Sequence, residues 1–222
     1  MSPLEKKVFL PASRFIPDSL NPFSRHISRD LAAAEALNLL GPEARPAFPT
    51  LTNLMTKRTH VIPAGIALAG MGSDGIAVLT EAVTNSDPNL RLNAATALGE
   101  ARSDFDKVIP ALIESAQLGG HQPLEDNLAR SAAADTLVAL HKEPNLVVPM
   151  FAGFLTKQDE YIRNLGVKNV LVGFGADARI AIPQLLQAET NSDPNVRESA
   201  TNVIKEINSS EEKTRDEAQA GP

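Results

Sequence analysis

From Asn21 onward the apolar residues fall in short stripes three, four and seven positions apart, broken by proline, glycine and aspartate or asparagine. Six stretches share one phase, with position zero at Asp30, Val61, Arg91, Arg130, Arg163 and Arg197. Position +3 is small (Ala33, Ala64, Ala94, Ala133, Gly166, Ala200) and position +7 is aliphatic (Leu37, Leu68, Leu98, Leu137, Val170, Ile204). Position +10 is mostly apolar (Leu40, Met71, Ala101, Leu140, Gly173, Ile207). These offsets lie on one face of a helix with 3.6 residues per turn, and the small residue permits a neighbouring helix to come close. The +7 residues recur every 30 to 39 residues, which is a supersecondary period rather than a heptad. Gly119-Gly120-His121-Gln122-Pro123 fills out the longest interval as an extended loop.

Four of these helices have a full start signal, strongest in two near-identical heptapeptides, Asn85-Ser86-Asp87-Pro88-Asn89-Leu90-Arg91 and Asn191-Ser192-Asp193-Pro194-Asn195-Val196-Arg197. Aspartate is a good N-cap, and proline is tolerated at the first helical position. Arginine four residues after the aspartate can face it across one turn. Between the start-marked helices comes a second kind, in which a proline sits in an apolar context (Pro49, Pro110, Pro149, Pro183). A proline there fits the first turn of a partner helix, where its missing N–H costs nothing. Residues 1–21 read as a proline-rich arm, since Pro3, Pro11, Pro17 and Pro22 forbid a long helix. Residues 22–208 read as the repeated domain, and 209–222 as a disordered charged tail with too little apolar content to bury a core.

Paired short helices, a proline early in the first and Asp-x-x-x-Arg opening the second resemble HEAT repeats, in particular the short bacterial type called phycobilisome-lyase-like. Four copies carry both residues: Asp87 and Arg91, Asp126 and Arg130, Asp159 and Arg163, Asp193 and Arg197. The first two have lost the arginine, to Asp30 and Val61. The resemblance implies an all-α fold, a right-handed α-α superhelix of about five helix pairs plus an initial helix. One pair cannot bury its apolar face alone, so neighbours must stack. It also implies that the second helices line a concave face, here at positions +1, +5 and +8. On that face Ile62, Ile66, Leu92, Thr96, Asp135 and Lys168 are the candidate contacts for a protein or peptide partner, with the apolar ones concentrated in the first three copies. A contiguous exposed apolar patch marks an interaction site. The competing reading is that the arm folds back over Ile62, Ile66 and Leu92. The recurring Asp and Arg residues read as structural, because ligand sites are normally unique.

The rest of the composition narrows the chemistry. With 222 residues, 43% hydrophobic but only 4% aromatic and no tryptophan, the core is expected to be aliphatic. A net charge of −6 gives no electrostatic case for nucleic acid or an anionic membrane. No cysteine means no disulfide or thiolate chemistry, and no apolar run approaches the roughly 20 residues of a membrane span. The amino-terminal stretch is a poor secretory signal, so the cytoplasm is the expected compartment. Gly70-Met71-Gly72-Ser73-Asp74-Gly75 spells GxGxxG, but the dinucleotide reading needs a preceding strand, and here a repeat helix precedes it. His26, His60, His121 and His141 have no histidine partner at helical spacing, and no His-Glu dipeptide occurs, so a metal site is not expected. The expectation is a non-catalytic scaffold or adaptor without cofactor. The alternative implied by the resemblance is an accessory lyase or isomerase like the phycobilin lyases.

Overall fold

The computed structural model describes residues 22–55, 57, 60–119, 123–157, 161–163 and 168–219, with the backbone alone for 22–28, 168 and 210–219. The arm 1–21, the loop residues 120–122 and Asp159 lie outside the described residues. Among the described residues the chain is all helical, with no strand. The elements are α1 (Pro22–Leu40), a 3-10 segment (Gly41–Ala47), α2 (Phe48–Met55), α3 (Val61–Ala69), α4 (Ser73–Ala82), α5 (Pro88–Leu98) and α6 (Phe105–Ser115). They continue with α7 (Pro123–Leu140), α8 (Pro144–Phe154), α9 (Lys168–Gly173), a 3-10 segment (Gly175–Ala181), α10 (Ile182–Ala188) and α11 (Pro194–Gln219). No helix among the described residues is long and apolar enough to cross a membrane.

Packing follows chain order. The odd-numbered helices touch in sequence, α1 on α3, α3 on α5, α5 on α7, α7 on α9 and α9 on α11. The even-numbered ones run alongside, α4 on α6, α6 on α8 and α8 on α10. Each even helix also packs on the odd helix that follows it. The seam between the rows is the core, and the repeat face fills it. Ala64, Ala94, Ala133 and Ala200 are buried at position +3, and Leu68, Leu98, Leu137 and Val170 at +7. The even helices answer with Ile76, Leu79, Ile109, Leu112, Val148 and Phe151. Small residues set the spacing, as a Cβ on Gly65 would lie 2.7 Å from the Ala97 Cβ.

The first copy departs from the pattern. In α1 the buried positions are Ala34 and Asn38, followed by Gly41, while Ala33 and Leu40 are exposed. The inward face therefore runs one residue later than the apolar stripe suggests, and a polar residue takes the aliphatic place. Asn38 is 2% exposed and satisfied: its Nδ2 donates to the Ile66 carbonyl at 2.7 Å, and its Oδ1 accepts from Arg102 at 2.7 Å. A buried amide with both ends paired costs little, and it ties α1 to α3 and to the loop between α5 and α6.

Two further features differ from the sequence reading. Pro110 and Pro149 lie inside α6 and α8 rather than in the first turn, because each helix starts one turn upstream. In the first and fifth copies the equivalent upstream turn is the 3-10 segment, ahead of Pro49 and Pro183. The stretch 209–219, read as tail, continues α11 as helix. Glutamate, lysine and arginine are good helix formers by intrinsic propensity. The GxGxxG stretch is the turn from α3 into α4. Gly72 takes a left-handed φ of 71°, and a Cβ on Gly75 would stand 1.9 Å from the Leu68 carbonyl oxygen.

Candidate partner-binding face and the Asp–Arg ladder

The two heptapeptides fold alike. Asp87 Oδ1 accepts from the Asn89 amide at 2.9 Å, and Asp193 Oδ1 from the Asn195 amide at 2.9 Å, each capping its helix. The asparagine two residues earlier accepts from the aspartate amide at 2.9 Å in both. Arg91 donates through Nη1 to the carbonyls of Asn85 (2.8 Å) and Ser86 (3.1 Å), and Arg197 does the same to Asn191 (2.8 Å) and Ser192 (2.9 Å). The arginine thus closes its own turn through backbone oxygens rather than through the aspartate one turn away, whose carboxylate is aimed at the helix start.

The remaining guanidinium nitrogen crosses to the next copy. Arg91 Nη2 donates to Asp126, and both side chains are buried. Arg163 reaches Asp193 at 3.4 Å in a more open setting. Arg130 donates to the Leu118 carbonyl at 2.6 Å and to Asn127 at 3.3 Å. Arg91 and Arg163 thus each join one copy to the aspartate of the next, as rungs of a ladder. A buried pair of this kind is worth most when both charges keep their hydrogen bonds, as Arg91 does at Nη1 and Nη2. Its Nε finds no acceptor among the described residues.

The odd-numbered row carries the candidate contacts. Ile62 on α3 is 43% exposed, and beside it Ile66 is half-buried against the core. On α5, Leu92 is half-buried and Thr96 exposed, its hydroxyl donating to the Leu92 carbonyl at 2.9 Å. Asp135 on α7 is exposed, and Lys168 opens α9 with a side chain outside the described residues. Position +8, expected to be free, is instead largely packed: Asn38, Ala69 and Leu171 are buried. Helix periodicity explains it, since +8 stands one turn beyond position +4, where Ala34, Gly65, Ala95 and Ala134 are also buried.

Farther along the same row, Asp135 lines a cavity of about 320 Å³ with Asn169, Val172 and Gly173 of α9, and Glu206 of α11. Loss of hydration among these neighbours raises the Asp135 carboxyl above its ordinary value. A Cβ on Gly173 would lie 2.5 Å from Val138, so the glycine is what lets α9 approach α7 at the floor of the cavity. Asn169 and Glu206 carry no sequence signal as a pair with Asp135. Only the packing of α7, α9 and α11 brings them together, although Asn169 is conspicuous as a polar residue next to the buried Val170. The row thus has an apolar end at α3 and α5 and an acidic groove at α7 to α11. No protein-family model matches the chain, and a search of curated proteins returns no match.

Proposed function

We propose that the chain is a HEAT-like scaffold, a right-handed α-α superhelix of about five helix pairs plus an initial helix, which binds a polypeptide partner along its odd-numbered row. The sequential packing of α1, α3, α5, α7, α9 and α11 supports the stacked architecture, because each pair then borrows its core from its neighbours. The observation that carries the binding reading is the combination on one row of exposed Ile62 and half-buried Ile66 and Leu92 with the acidic groove of Asp135 and Glu206. Such a surface suits a segment with an apolar anchor at one end and basic residues at the other. The apolar anchor supplies affinity, and the charges set direction and register.

The experiment is a selection of random dodecapeptides displayed on phage against the purified full chain, followed by anisotropy measurements on the enriched peptides. The expected result is a motif with one large apolar residue and at least one Lys or Arg, whose binding weakens about tenfold or more in Ile62→Arg and is unchanged in Leu186→Arg on α10. No enriched motif, or equal loss in both variants, would sink the proposal.

A further inference from the structure

Among the described residues the ladder has a gap at Asp87. Asp126 receives Arg91 and Asp193 receives Arg163, each from position zero of the preceding copy. Asp87 is the corresponding aspartate of the third copy, and position zero of the copy before it is Val61. Among the described residues no cation pairs with Asp87, whose Oδ1 caps α5 through Asn89. Where the guanidinium would lie there is a cleft of about 480 Å³. Its lining includes Met55 and Val61 of one copy and Asp87, Asn89, Leu90 and Asn93 of the next.

The register identifies what the cleft is shaped for. Met55 stands six residues before Val61, as Asn85 stands six before Arg91, and it is the Asn85 carbonyl that takes the Arg91 Nη1 at 2.8 Å. The cleft therefore spans the same two positions, −6 of one copy and the aspartate four residues before position zero of the next, that hold a guanidinium between them one copy later. We infer that this cleft is a binding site for the arginine side chain of a partner polypeptide, which completes the ladder in trans. Met55, Val61 and Leu90 offer apolar walls for the three methylenes, and the Asp87 carboxylate with the neighbouring asparagine oxygens accepts the planar donor fork. Lysine presents a compact, strongly hydrated charge and fits this arrangement less well. The −6 net charge of the chain favours approach of a cationic segment. The site lies at the start of α5 and stands independently of the apolar and acidic contacts proposed above for the row.

The test is a backbone-amide NMR titration of the full chain with N-acetyl-arginine amide, with N-acetyl-lysine amide as control. Expected are saturable shifts centred on Asn85, Asp87, Asn89 and Asn93, several-fold weaker with the lysine compound. Asp87→Asn keeps the helix cap, since asparagine accepts the Asn89 amide as well, but removes the charge, and weakens binding about tenfold. Val61→Arg installs the missing rung within the chain, abolishes the shifts and raises the thermal midpoint. Shifts that are absent from the wild type, or that persist unchanged in both variants, overturn the proposal. Shifts that emerge only in Arg14→Ala or Arg58→Ala also overturn it, by assigning the cleft to one of the chain's own arginines.

Discussion

Replacing Arg91 by alanine removes three interactions at once: the donors to the Asn85 and Ser86 carbonyls and the ion pair with Asp126. Asp126 stays behind with its side chain 5% exposed, so water does not replace the lost guanidinium. Breaking a buried pair in this way costs on the order of 3–5 kcal/mol, most of it the penalty on a buried carboxylate that has lost its cation. The equivalent change at Arg163, whose partner Asp193 has a side chain 38% exposed at 3.4 Å, is expected to cost about 1 kcal/mol or less. For a chain of this size the Arg91→Ala loss corresponds to roughly 6–20 °C in thermal midpoint. Urea unfolding followed by far-ultraviolet circular dichroism measures both variants. The paired substitution Arg91→Met with Asp126→Leu should recover most of the loss, because two matched apolar groups leave no stranded charge. If Arg91→Ala and Arg163→Ala destabilise equally, or the paired substitution is no better than the single one, the buried rung does not hold α5 to α7 as argued.

Other outcomes follow from the same geometry. Partial loss of hydration in the groove raises the Asp135 carboxyl, so its ionisation opposes folding: the stability it contributes is present below the ordinary aspartate value of 3.8 and lost as pH rises through the higher folded value. Asp135→Asn should therefore raise the thermal midpoint at pH 7, with the gain vanishing in acid, read by calorimetry across pH. Asp104 is the opposite case, held low by hydrogen bonds from Ser103, Ser73 and Lys107; its contribution is present above the ordinary value and lost as pH falls through the lower folded one. Asp104→Asn should lower the midpoint at neutral pH and make no difference in strong acid. Gly75→Ala should destabilise by a few kcal/mol in urea titration despite alanine's better helix propensity, since its Cβ would meet the Leu68 carbonyl oxygen at 1.9 Å. Asn38→Ala should cost about 1–3 kcal/mol in the same titration, from the unpaired Ile66 carbonyl and the volume lost.

The repeat was legible where aliphatic residues mark the core. Leu68, Leu98 and Leu137 are fully buried at the phase their spacing dictates. The phase slipped where that rule is broken by a polar residue: Asn38 occupies a core position that a search for aliphatic periodicity passes over in favour of Leu37. The partner of Arg91 was not legible either. Sequence spacing offers Asp87 one turn away, but the capping role commits that carboxylate to Asn89, and the alternative, Asp126, is a neighbour only through packing of α5 on α7. The same holds for the acidic groove, where the helix position of Asp135 is legible while Glu206 joins it only through α11. The vacant rung is different. Val61 in place of arginine is visible in the sequence, and it acquires meaning once Arg91 and Arg163 are seen to reach forward into the next copy.

The most direct test of a partner held along the odd-numbered row is hydrogen exchange of the full chain with and without a selected peptide, resolved by mass spectrometry. Slowed exchange is expected in segments from α3, α5 and α7, with α4, α6, α8 and α10 unchanged. Slowing confined to the even-numbered helices, or none at saturating peptide, would contradict the account.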